Sequence, residues 1–164
     1  MASKTTGDFS IGDPMSDKPR VVVTGSFDIL HTGHIHLLRE AAKLGDVYVI
    51  VARDSTVIRI KKQPPILSEA QRLEIIQAIR YVTEASLGNE SKNFLIKPIE
   101  LKADIILLGP NQKVEEESIK NQLIAMGHPE IKVQRLTSLS EKYELNSSSA
   151  IKDKIKRTFT SNGN

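Results

Sequence analysis

Two histidines three residues apart, His31 and His34, end the string Thr24-Gly25-Ser26-Phe27-Asp28-Ile29-Leu30-His31-Thr32-Gly33-His34. A small-residue loop opening straight into a helix presents unbonded backbone N–H groups and the positive end of the helix dipole, and both attract phosphate. Gly25 and Gly33 let an anion come close to the main chain. Imidazoles placed there can donate hydrogen bonds to non-bridging phosphate oxygens and follow charge as it moves onto a leaving group. A single histidine near a helix start is more often a cap; two of them flanking a glycine are harder to explain that way. A metal pair is the weaker use, since the chain has no Cys and the two rings lack a carboxylate at ligand spacing, so no metal ligand is assigned. A second cluster, Ser147-Ser148-Ser149, precedes the last predicted helix, where hydroxyls and free N–H groups suit a phosphate tail. One serine would serve as an ordinary cap. A third, Arg59-Ile60-Lys61-Lys62-Gln63-Pro64-Pro65, reads as a basic loop whose plainest meaning is solvated surface.

These clusters need elements to hold them. Residues 20–25 and 46–53 read as buried strands, and Leu37, Leu38, Ala41, Ala42 and Leu44 fall at helical spacing before Gly45. Ser68 stands three before Gln71 as a capping box, with Leu73, Ile75, Ile76 and Ile79 following. A weaker strand lies near 82–87, and 91–101 is ambiguous because Pro98 interrupts it. Then come a strand at 104–109, a helix at 114–126, a fifth strand at 131–136 and a helix from Ser147 to Phe159. Strands alternating with helices predict an α/β, Rossmann-like single domain: about five strands, mostly parallel, with helices on both faces. Ligands of such sheets bind at the carboxyl ends of the strands. That rule points to Thr24–His34, Ala52–Ser68, Gly109–Lys113 and Leu136–Ser149.

At 164 residues, 39% hydrophobic and 26% charged, the chain fits one domain, expected over 19–158. Residues 1–18 are expected to be a flexible tail, with Met15 an alternative start, and 159–164 a second tail. No apolar run approaches the ~20 residues of a membrane span, so the expectation is a soluble, cytoplasmic protein with no membrane partner. A net charge of +3 with 4% aromatic residues argues against a nucleic-acid partner. His36 and His128 are given surface positions and no role.

The string GSFDILHTGH resembles the signature of the cytidylyltransferase-like nucleotidyltransferase superfamily: a Gly-x-Phe-Asp segment, then His-x-Gly-His. The similarity runs from about Pro19 to Arg157. Ser147-Ser148-Ser149-Ala150-Ile151-Lys152 stands where members carry a Ser/Thr-rich segment ending in Ile-Arg, with Lys152 in place of Arg, a point charge for a bidentate fork. The resemblance implies transfer of a nucleoside monophosphate from a triphosphate to a phosphate-bearing acceptor, with pyrophosphate released. His31 and His34 would be catalytic, and Lys61 or Lys62, between which the sequence does not choose, would meet the phosphates from a mobile lid. Thr24, Gly25, Ser26, Phe27, Asp28, Gly33, Gly109, Asn111, Gln112, Ser147, Ser148, Ser149 and Lys152 would form the nucleotide site, with Asp28 orienting its loop. Arg72 aligns with a family Arg that makes either a structural ion pair or a ligand contact. Magnesium, or another divalent cation, would bridge the nucleotide phosphates, and a homodimer is common among members.

Residues 51–57 and 108–112 look closest to archaeal FAD synthases, which implies ATP and FMN as substrates. CTP with a small phospho-alcohol is the alternative, although the Gly-Asp-Asp-Trp common in cytidylyltransferases is missing at 109–112. Asn111 and the lack of Cys depart from the FAD-synthase pattern. A silent nucleotide-binding module would bind nucleotide without releasing pyrophosphate, and a nucleic-acid binder would show steep salt dependence.

Overall fold

The computed structural model describes residues 16–138 and 142–160. Its elements, in chain order, are β1 Arg20–Gly25, α1 Thr32–Leu44, β2 Asp46–Val51, α2 Asp54–Lys61, α3 Glu69–Gln77, β3 Glu84–Leu87, α4 Ile96–Glu100, β4 Ile105–Leu108, α5 Glu116–Ala125, β5 Lys132–Arg135 and α6 Ser148–Thr160. The strands form one sheet in the order β3-β2-β1-β4-β5. All four pairings are parallel, with Thr24 opposite Ile50 and Val23 opposite Leu107. The chain reverses its direction of strand addition between β1 and β4, which makes the carboxyl end of β1 the switch point.

Alternation along the strands splits the core in two. Val21, Val23, Val47, Val49, Val51, Ile105 and Leu107 face Leu37, Leu38 and Ala41 of α1 and Ile76 of α3. Val22, Tyr48, Ile50, Ile106, Leu108 and Val133 face Leu95 near α4 and Ile119 and Leu123 of α5. Helices therefore cover both faces, as expected. Gly45 closes α1 where no side chain fits, because a Cβ there would lie 2.0 Å from the Pro19 carbonyl oxygen.

Three expectations need correction. Residues 54–61, read from the sequence as connection and basic loop, form α2. Its apolar pattern is nearly silent, with Val57 its one buried residue, and its β-branched run is a poor helix former. Long-range contacts start it instead: the Glu69 carboxylate accepts from Asp54 N–H at 2.8 Å, and Arg72 bonds the Asp54 carboxylate at 2.7 Å. The ambiguous 91–101 segment contains α4, in which Pro98 is third, a first-turn position that has no helical partner for an N–H. Helix α6 runs through Thr160, one residue past the end at Phe159 read from the sequence. Residues 1–15 of the predicted first tail and 161–164 of the second lie outside the described residues, as do 139–141 of the predicted Leu136–Ser149 stretch. Among the described residues no helix is long and apolar enough to cross a membrane.

Candidate active site

The carboxyl ends of the strands open into a cleft of about 900 Å³. Every stretch the strand-end rule pointed to contributes to its wall. Thr24, Gly25, Ser26, Phe27, Asp28, His31, Gly33, His34, Lys61, Gly109, Asn111, Gln112 and Ser147 to Ser149 line it; Lys62 and Lys152 do not.

His31 is the N-cap of α1, with extended φ and ψ, and its Nδ1 accepts the Gly33 N–H at 3.1 Å. An accepting Nδ1 cannot carry a proton, so the neutral ring holds its hydrogen on Nε2, a donor. The His34 ring stacks on it at 3.7 Å between centroids and 24° between planes, and Phe27 closes the other side at 5.0 Å. Burial, then the charges of His31 and Lys61, push His34 down to about 3 against the opposing pull of Asp28, and burial also lowers His31. Both rings are therefore neutral at physiological pH. His34 Nδ1 and Thr32 Oγ1 are buried without a hydrogen-bond partner among the described residues. Unsatisfied atoms of this kind call for a specific account, and both lie in the first turn of α1, where phosphate is expected.

The loop holding this pair is strained and tightly fastened. Phe27 adopts φ 50°, the left-handed region, while almost fully buried. Gly25 is required beneath it, since a Cβ would stand 2.9 Å from the Phe27 ring. At Gly33 a Cβ would meet the Asn146 carbonyl oxygen at 2.4 Å and the His31 ring at 2.9 Å. The glycine of the His-x-Gly-His string thus makes room for the chain that leads into α6.

Asp28 is 3% exposed and fully engaged. Its Oδ1 accepts from the N–H groups of Ile66 and Leu67, and its Oδ2 from Lys152 at 2.8 Å. Burial alone would raise its pKa, but the Lys152 hydrogen bond and charge and the two backbone donors outweigh it, leaving the carboxyl below its usual range. Asp28 and Lys152, both assigned to the nucleotide from sequence, tie the α2–α3 connection and α6 to the loop. Arg72 is wholly buried and bonds the carbonyls of Ser26 and Leu67 as well as Asp54. Of the two uses open to it, the structural one holds. Gln112 is similarly engaged: it accepts from Gly109 N–H at 2.7 Å and donates to the Thr24 carbonyl at 3.0 Å, clasping β4 to β1.

Helix α2 separates the two lysines that the sequence left together. Lys61 stands at the cleft wall, its pKa lowered by burial first and then by the charge of Lys152, with Asp28 opposing and Arg72 adding. Lys62 is the left-handed C-cap of α2, φ 60°. In the serine run, Ser147 caps α6 by accepting from Ala150 N–H at 3.1 Å, and Ser148 donates to the Ile29 carbonyl. Ser149 remains exposed on the cleft wall.

Some participants escaped the sequence reading. His36, given a surface role, lines the cleft and meets Ser138 at 3.0 Å. Arg135 supports the 109–114 loop through the carbonyls of Gly109, Gln112 and Val114. A whole arm beyond β3, with Gly88, Asn89, Ser91, Lys92, Phe94 and Lys97, also lines the cleft. The strand-end rule applied to 82–87 would have found it. His128 contacts Glu130 away from the cleft.

A family model described as cytidylyltransferase-like matches residues 22–154. An FAD synthase of Methanocella paludicola is 48% identical over 85% of this chain and 97% of its own length, and one of Thermoplasma volcanium is 44% identical over 83% and 93%. A solved structure from Thermoplasma volcanium, described as a lipopolysaccharide core biosynthesis protein, superposes with a TM-score of 0.70 at 42% identity, covering 75% of this chain and 98% of that one. An Archaeoglobus fulgidus protein of unknown function gives a TM-score of 0.58 at 24% identity over 71% and 88%, and supports the fold alone. The family match begins inside β1 and ends inside α6, so it takes in both the histidine pair and the serine run. The chain belongs to the cytidylyltransferase-like family and is a nucleotidyltransferase.

Proposed function

We propose that this nucleotidyltransferase joins the AMP of ATP to FMN, forming FAD and pyrophosphate. The observation that carries it is the similarity to archaeal FAD synthases across nearly their whole length. An FMN phosphate oxygen attacks the α-phosphorus of ATP; the bond from that phosphorus to the bridging oxygen breaks on the opposite side, and pyrophosphate leaves. No covalent enzyme intermediate is needed, so the protein contributes position and electrostatics. Nε2–H of His31 and the stacked His34 stabilise the crowded phosphorus and the departing charge. The α6 N-terminus with Ser149 receives the β- and γ-phosphates. Lys61 offsets the negative charge of the two substrates as they meet.

Among the described residues no group of three His, Cys, Asp or Glu could cage a metal, and the Asp28 carboxylate is fully engaged. Phosphate oxygens suit magnesium's preference for hard donors, so ATP is proposed to enter as its magnesium complex with the metal on its phosphates. Magnesium would supply positive charge beside that of Lys61. A homodimer is proposed with this reading and is tested by light scattering.

The test is pyrophosphate release by purified protein with magnesium, offering ATP or CTP against FMN, glycerol-3-phosphate and phosphocholine, with chromatography for FAD. Release with ATP and FMN, lost in His31→Ala and His34→Ala, is the expected result. Release with CTP alone, or binding without release, overturns it.

A further inference from the structure

The cleft spreads from the histidine pair into two arms of different chemistry. The arm at β4 and β5 offers Gly109, Pro110, Asn111 and a clasped Gln112, a surface of backbone and small side chains. The arm beyond β3 offers a ring. Two phenylalanines line the cleft: Phe27 is 4% exposed and packed on His34, whereas Phe94 is 37% exposed. Phe94 is also the better mounted for recognition. The next residue, Leu95, is fully buried, and its N–H is held by the Asn93 side chain at 3.0 Å. At the root of the arm, Arg53 fastens the Gly88 carbonyl at 2.8 Å. A ring carried on an anchored segment loses little freedom when a ligand stacks on it. Lys92 and Lys97 on the same arm add ammonium donors, and Ile50 adds an apolar contact.

We infer that this arm seats the ring system of the flavin acceptor, with Phe94 stacked on the isoalloxazine face and Lys92 and Lys97 toward its carbonyl-bearing edge. The inference rests on FMN being the acceptor. An isoalloxazine is flat, apolar at one end and rich in acceptors at the other; an open aromatic face flanked by lysines matches both ends. Phe94 is then a specificity residue: it holds the acceptor, while the histidines and Lys61 act on the phosphates.

The test is titration of FMN and of riboflavin, which lacks the phosphate, with the protein, following flavin fluorescence anisotropy; ATP binding is measured separately by calorimetry. Expected for the wild type is binding of both ligands. Phe94→Ala should weaken both by about tenfold, a stacking-sized effect, while ATP affinity stays within twofold. Phe94→Tyr should restore the affinity and also quench the flavin, because a phenol gives an electron to the excited flavin far more readily than a phenyl ring does. Phe94 is partly exposed, so its removal leaves the fold intact, and a melting curve for each variant checks it. Unchanged FMN binding in Phe94→Ala, or equal weakening of ATP, overturns the inference and leaves FMN as acceptor intact. Failure of the wild type to bind FMN removes both.

Discussion

Substituting Gly33 with Ala isolates the contact between the histidine string and the chain entering α6. The added Cβ would lie 2.4 Å from the Asn146 carbonyl oxygen and 2.9 Å from the His31 ring. Ordinary contact begins near 3.4 Å, so Asn146 must retreat by about an ångström, or α1 must shift by as much. Overpacking of this kind costs about 1–3 kcal/mol. Replacing a helical Gly with Ala returns up to about 1 kcal/mol, because Gly33 sits in the first turn of α1. The net, about 0–2 kcal/mol, corresponds to a fall in Tm of no more than roughly 8 °C for a chain this size. Catalysis should suffer more. The shift separates the α6 N-terminus from the His31–His34 pair, and a 1 Å misplacement of reacting groups costs about 100-fold. Steady-state pyrophosphate release, read beside a melting curve, gives both numbers. Gly109→Ala is the control for the melting curve alone: its Cβ would meet the Leu37 and Gln112 side chains at 3.6 Å or more, so its Tm should hold. Gly33→Ala retaining activity within threefold of wild type would refute the claim that α6 must abut this glycine.

Arg72→Leu should destabilise the fold by about 2–4 kcal/mol, seen in urea unfolding, because the Ser26 and Leu67 carbonyls lose their donor, while Asp54 keeps access to water; a change under 1 kcal/mol would contradict the bracing role. Lys61→Ala should lower kcat/KM sharply and Lys62→Ala hardly at all, while Lys62→Gly should stabilise by about 0.5–1 kcal/mol by relieving a left-handed φ; equal kinetic losses at 61 and 62 would argue against the separation. His34, with a folded pKa near 3 against 6.5 in its ordinary state, leaves the unfolded chain binding the extra proton between those values. Stability is therefore unaffected by this group above pH 6.5 and falls as pH drops from 6.5 toward 3, so wild-type Tm should decline over that window more steeply than that of His34→Gln.

The fold was legible where period and punctuation agree. Continuous apolar runs such as Val21 to Val23 and Ile105 to Leu108, buried on both faces of the sheet, lie between glycines and polar turns, and α3 opens at Ser68 as its capping box predicts. Helix α2 was illegible because its stability is not local: Glu69 and Arg72, eleven or more residues from most of its length, supply its start. The histidine string was readable because its chemistry needs particular residues at fixed spacing. Its supports were not. Asp28 is legible as the residue that orients its loop, but the partners that engage it, Ile66, Leu67 and Lys152, come together only in the fold. Gln112 and Lys152 are likewise bonded within the protein, the one to Gly109 and Thr24 and the other to Asp28: sequence shows which groups could meet a nucleotide, and only the fold shows which bonds they already make.

That distinction explains the electrostatics of the cleft. Lys61 and Lys152 share the neighbourhood of Asp28, one buried carboxylate between two cations, while Arg72 is paired with Asp54. Burial first, and then the neighbouring charge of Lys152, lowers the proton affinity of Lys61, and burial keeps both histidines neutral. A cleft filled with fully charged cations would repel itself before any ligand arrived. Neutral rings avoid that repulsion, and the cap made by His31 keeps the Nε2–H of that ring a donor. The negative charge that completes the site belongs to the triphosphate, so the same groups that lower each other's proton affinity in the free protein bind most strongly once the phosphates are in place. Preorganisation here is a matter of fixed donors and postponed charge, and Asp28 is the residue that allows both: it holds Lys152 and the α2–α3 connection at the loop while leaving the cleft short of one anion.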